Sequence, residues 1–319
     1  MNTSELIGHY LTARRANGAS FKSGQRVLYQ FARETGDVPL AGVTPQAVSM
    51  FLRGRGELSA SWKTRYGLLS GLYRFALARG HVNASPLPDQ RPKLPPQITP
   101  YVYSRDELQR LLDATEALTS PWSRLQVSTY RALLLLLYAT GLRVSEALRL
   151  RLADLDQAQR MLIVRETKFY KTRLVPIGEA TIDVLFRYVD RRCRELPMPQ
   201  AASSALFASR SGHPLNYQRV VTLFQKVRAR AGIGCPPGEH RPPRLHDLRH
   251  TAAVHRVVTW YEEGKDVQLL LPRLATYLGH ASIASTQRYL QMTPELLHQA
   301  SMRFALYANL EAREEDGDA

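Results

Sequence analysis

The chain has 319 residues, 44% hydrophobic and 22% charged, an ordinary globular balance and long enough for two domains. Forty-three Lys and Arg against 28 Asp and Glu leave a net charge of +15 and a pI near 10.1, which points to a polyanionic partner, most often nucleic acid. The two cysteines, Cys193 and Cys235, exclude a disulfide scaffold and a four-cysteine zinc finger, and the apolar run from Ala132 to Ala139 is too short to span a bilayer.

Up to residue 84 the apolar pattern is helical throughout. Leu6, Tyr10 and Leu11 share one face, and Val27, Leu28, Phe31 and Ala32 repeat at helical spacing. Thr44-Pro45 reads as an N-cap followed by proline at the first helical position. Ser61 to Arg79 carries Tyr66, Leu69, Leu72, Tyr73 and Ala76 as one stripe, closed by Gly80. Residues 1–84 therefore read as a four-helix module with basic polar faces. Ser85 to Pro100 holds six prolines in sixteen residues and reads as a semi-extended linker.

Residues 101–319 are mixed. Ser104-Arg105-Asp106-Glu107 is a capping box that opens a helix to about Leu118, and a mostly buried helix covers Tyr130 to Thr140. Met161–Glu166 and Thr172–Ile177 read as two strands joined by a tight turn. Helices are expected over Glu179–Leu196, Tyr217–Ala231, His246–Tyr261, Val267–Gly279 and Pro294–Leu310, before an acidic tail. The fold class is mainly α with a small antiparallel β-sheet. The last helix has two apolar faces, one for its own domain and one for a partner.

Four features of this part carry chemistry. In Thr140-Gly141-Leu142-Arg143-Val144-Ser145-Glu146, a glycine turn starts a helix with Arg143 and sets Glu146 three residues on, able to hold its guanidinium. The hairpin Arg165 to Arg173 carries Lys168 and Lys171 near a turn. In His246-Asp247-Leu248-Arg249-His250, His246 and Arg249 share a helical face; His246 and His250, four apart, also raise a zinc reading, although no third ligand stands at familiar spacing. The fourth is Leu278-Gly279-His280 followed by Tyr289.

Together and in this order, TGLRVSEAL, TKFYKTRLVPI, HDLRH and LGHASIASTQRY closely resemble the motifs of the tyrosine recombinases, the family of phage integrases and chromosome-dimer resolvases. The resemblance covers nearly the whole chain and implies a helical core-binding domain followed by an α+β catalytic domain. It implies Tyr289 as nucleophile, Arg143 and Arg249 as catalytic arginines, His246 and His280 as the paired histidine positions, Lys168 as the hairpin lysine with Lys171 as its rival, and Glu146 as support for Arg143. The segment Trp260 to Lys265 makes the interval from Arg249 to His280 longer than the family's usual one.

The implied activity is site-specific cutting and rejoining of duplex DNA through a 3′-phosphotyrosine, with no cofactor, metal or ATP. The implied partners are duplex DNA with an inverted-repeat core site and three further subunits, as a homotetramer or with a sister recombinase. Integration or excision of a mobile element is the first expectation and dimer resolution the second. A type IB topoisomerase shares the chemistry, and a DNA-binding regulator with a decayed site and a zinc hydrolase are rivals from other classes. A soluble cytoplasmic protein with no membrane partner is expected, since Met1-Asn2-Thr3-Ser4-Glu5 lacks a signal-peptide layout.

Overall fold

The computed structural model describes residues 1–16, 21–95, 99–120, 126–165, 172–196, 201–239 and 241–279. The chain forms two compact units, Met1–Ile98 and Thr99–Ala319. It is mainly helical, with one small antiparallel sheet.

The first unit packs α1 (Thr3–Ala16), α2 (Lys22–Glu34), α3 (Pro45–Arg53) and α4 (Ser61–Leu77). Helices α1, α2 and α4 contribute the stripes that their spacing predicts, and Leu6, Leu28, Phe31, Leu52, Leu69 and Leu72 are all buried in one core. The Thr44 side chain accepts from the Ala47 amide at 3.2 Å, so the α3 cap forms as its sequence dictates. The turn after α2 is tied to α1 by Asp37, which accepts from the Ser4 amide at 2.7 Å.

In the second unit, the Ser104–Glu107 capping box starts α5 (Arg105–Asp113), which tightens into a 3₁₀ turn over Ala114–Leu118. The central helix, α6 (Gln126–Thr140), is buried over most of its surface. It starts four residues before the expected Tyr130, because Gln126 and Ser128 make its first turn without contributing an apolar signal. One short turn, α7 (Val144–Ala147), leads to the sheet.

That sheet has three strands where the sequence shows two: β1 (Leu155–Asp156), β2 (Met161–Val164) and β3 (Arg173–Pro176), paired in that order. A two-residue strand has no period to read. Leu162 faces Val175 across the β2–β3 ladder, and both are fully buried against the α6 core. Then come α8 (Glu179–Glu195), α9 (Tyr217–Arg230), α10 (Asp247–Glu262) and α11 (Val267–Leu278). The Trp260–Lys265 stretch forms the last turn of α10 and a glycine turn at Gly264 rather than a separate loop. The expected helix Pro294–Leu310 lies outside the described residues.

Candidate active site

Four segments meet at the end of α6. Gly141 ends the helix with φ +61°, and a Cβ there would lie 2.5 Å from the Leu278 side chain. Only glycine satisfies both the left-handed backbone and that close approach to α11. The turn delivers Arg143 as the N-cap of α7. Glu146 accepts from the Arg143 amide at 3.0 Å through Oε2 and from Arg143 Nη1 at 2.8 Å through Oε1. Arg143 Nη2 donates to the Gly279 carbonyl at 3.1 Å, and about a third of the side chain (32%) stays open to solvent.

Arg249, one turn into α10, is buried. Its Nη1 donates to the Gly141 carbonyl at 2.6 Å and its Nη2 to the Leu278 carbonyl at 2.8 Å. Those carbonyls belong to the C-terminal ends of α6 and α11, each carrying roughly half a negative charge. Two helix ends thus hold one guanidinium, and the second of them also receives Arg143.

His246 caps α10 three residues before Arg249 and meets His250 edge to face, with ring centroids 5.2 Å apart. Burial of the ring, then the charge of Arg249, lowers the pKa of His246, although part of its surface stays open. The ring is therefore neutral at pH 7 and able to accept a proton. His250 is pushed further down, to about 4, by burial and by His246. The preceding turn is fixed by buried Asp247, which accepts from the Arg244 amide at 2.7 Å and from its Nη2 at 2.9 Å.

A third arginine enters from β3. Arg173 Nη2 donates to Glu146 Oε2 at 2.9 Å and its Nη1 to Oε1 at 3.3 Å. Burial alone would raise the Glu146 pKa, but hydrogen bonds and charge from Arg173 and Arg143 bring it down to about 2. The carboxylate is thus ionised at any working pH.

Two arginines from different elements, both donating to the end of α11 beside a neutral histidine, form a candidate anion site whose guanidinium forks fit phosphate oxygens. The Phage integrase family model matches residues 102–295. The chain belongs to the phage integrase family of tyrosine recombinases. It is 36% identical to the integrase/recombinase y4rB of Sinorhizobium fredii over 98% of both chains. It is 30% identical to tyrosine recombinase XerC of Oceanobacillus iheyensis over 91% of this chain and 90% of that one. A lambda integrase tetramer bound to a Holliday junction shares the fold, with a TM-score of 0.65 at 20% identity over 91% of this chain and 77% of that one. The recombinase is therefore an enzyme that cuts and rejoins DNA.

Of the residues singled out from the sequence, the structure brings Arg143, Glu146, His246 and Arg249 together. Lys168, Lys171, His280 and Tyr289 lie outside the described residues. Among the described residues no three His, Cys, Asp or Glu side chains gather as a metal site, and no helix is long and apolar enough to cross a membrane. Sequence reasoning missed Arg173, grouped there with the basic tip of the hairpin. The available signal was strand alternation: Val175 faces the core and Leu174 faces solvent, so Arg173 must face inward with Val175. It also missed buried Asp154, which accepts from Arg165 Nε at 2.6 Å at the other end of the hairpin.

Proposed function

We propose that the recombinase cuts its DNA site through Tyr289, with Arg143 and Arg249 as the phosphate-binding pair. The observation that carries this reading is their shared anchorage at the end of α11, through the Gly279 and Leu278 carbonyls. Attack by a phenol on a phosphodiester adds charge to the non-bridging oxygens, and immobilised guanidiniums stabilise that charge without reorganising. Neutral His246 takes the proton of Tyr289, whose ordinary pKa is about 10. The leaving 5′-oxygen takes a proton from Lys168, with Lys171 as the rival donor, and His280 completes the phosphate contacts. The phosphotyrosine conserves the bond, so a 5′-hydroxyl of another strand reverses the step without ATP or metal.

The biological role we favour is integration or excision of a mobile element, supported by the likeness to y4rB along the full chain. Dimer resolution is the second reading, favoured by the likeness to XerC. We take the working form to be a tetramer on two inverted-repeat core sites, with residues 1–84 as the core-binding domain and 101–319 as the catalytic domain; the tetramer of lambda integrase on a Holliday junction supports the stoichiometry.

The test is a nicked suicide duplex carrying the core site, recovered by selecting bound inverted repeats from random DNA. The chain should become trapped on this duplex in excess EDTA, with the adduct mapping to Tyr289. Tyr289→Phe should bind the same DNA and form no adduct. An adduct elsewhere, or one that needs metal, overturns the mechanism.

A further inference from the structure

We propose that Arg173 is a positioning residue of this site: it locks Glu146 in place, so that the hairpin strand, Arg143 and the α11 turn move as one body. The inference rests on reading Arg143 as a phosphate-binding residue.

The contacts divide evenly. Each oxygen of Glu146 receives one bond from Arg173, and each receives one from Arg143, by side chain at Oε1 and by main chain at Oε2. A carboxylate bonded on both oxygens from two directions cannot rotate without breaking several charge-assisted bonds. Arg143 alone would compensate it poorly. Glu146 is 2% exposed and Arg143 32% exposed, so without Arg173 a buried charge would face one half-solvated partner. Arg173, at 13%, is nearly closed off and directs both Nη groups to Glu146. Its accessible surface suits a strut better than a substrate contact.

The α11 turn rests on the same group. Gly279 has φ +70°, and a Cβ there would lie 2.7 Å from Arg173 Nη1 and 2.8 Å from its Cζ. The carbonyl of that residue accepts from Arg143. Arg173 therefore touches both things that hold Arg143: the carboxylate by hydrogen bonds and the turn by packing.

Among the described residues, the charged groups facing Glu146 are Arg143 on its own turn and Arg173 from β3. Helix α10 brings Arg249 and His246 to the site, and α11 brings main-chain carbonyls and the Tyr277 phenol. Burial raises the pKa of that phenol, which also feels the charge of Arg173, so that it stays neutral between pH 5 and pH 7.5. Loss of Arg173 therefore leaves Glu146 with one cation, and its proton affinity must rise.

Full-length wild type, Arg173→Gln, Glu146→Gln and the double variant should be compared on the suicide duplex by single-turnover adduct formation between pH 5 and pH 7.5. Gel shifts alongside should show binding unchanged within about threefold. We expect Arg173→Gln to slow adduct formation about 10- to 100-fold at pH 7.5 and by a growing factor towards pH 5. The double variant should be no slower than Glu146→Gln, and Arg173→Lys should recover part of the rate. A wild-type rate in Arg173→Gln at every pH, or deficits that simply multiply in the double variant, overturns the proposal. If wild type itself forms no adduct, the functional reading fails but the strut remains testable. The unfolding midpoint of Arg173→Gln, or of Arg173→Lys if the first variant does not fold, should then depend less steeply on pH between 5 and 3 than wild type, because the folded pKa of Glu146 moves back towards its unfolded value; an identical dependence refutes the strut.

Discussion

The two units handle positive charge in opposite ways. Residues 1–98 carry thirteen Lys and Arg against five Asp and Glu, yet every described ion pair lies in the second unit. In the first unit four of the thirteen, Arg14, Arg65, Arg79 and Arg91, lie over aromatic rings: Arg79 sits 3.9 Å from the centre of Phe75, and Arg91 4.9 Å from that of Tyr66. Such contacts support the stem and leave the charge unneutralised. Among the described residues the second unit buries three carboxylates, Glu146, Asp154 and Asp247, and each grips an arginine. Cations left unneutralised suit a polyanion in any register, whereas gripped ones suit a single phosphate in one geometry.

That contrast predicts where mutations should hurt. Arg249→Ala should be the most damaging, because it removes the tie between two helix ends as well as a phosphate donor. Cleavage on the suicide duplex should fall about a thousandfold, with the fold retained by circular dichroism. Next is Phe31→Ala in the first unit, where a buried ring is exchanged for a cavity. It should cost about 3.5 kcal/mol of that unit's stability and weaken DNA binding, while the second unit's unfolding transition stays in place.

Glu146 gives a pH signature of similar size. Its folded pKa of about 2 lies below the ordinary 4.5, so its contribution is complete above the ordinary value and is lost as pH falls from there towards 2. The difference is worth about 3 kcal/mol. Wild type should lose that much stability between pH 5 and pH 2 in denaturant titrations, and Glu146→Gln should lose markedly less. The smallest effect belongs to the ring-borne cations. Arg79→Gln should change stability by about 0.5 kcal/mol and reduce the salt slope of DNA binding by about one. A large loss of stability from this change would erase the contrast between the units.

The helices were legible because their signals are local. The Thr44 cap, the Ser104–Glu107 box and the stripes of α1, α2 and α4 each lie within a few residues. The Arg143–Glu146 pair was legible for the same reason, as neighbours three apart on one turn. What escaped depends on distance. Arg173 meets Glu146 across 27 positions, and Arg249 meets Gly141 across 108, so no spacing along the chain announces either bond. Asp154 reads as an ordinary polar residue until its burial is known.

The shared carboxylate also bears on how such a sequence can drift. Glu146 answers to two arginines, so changing position 173 first strands a buried charge on one partner, and changing position 146 first crowds two guanidiniums together. Either order passes through an intermediate that is weaker than both ends. Substitutions at 146 and 173 should therefore arise as pairs among descendants of this chain, while position 79, whose arginine lies over a ring, varies on its own.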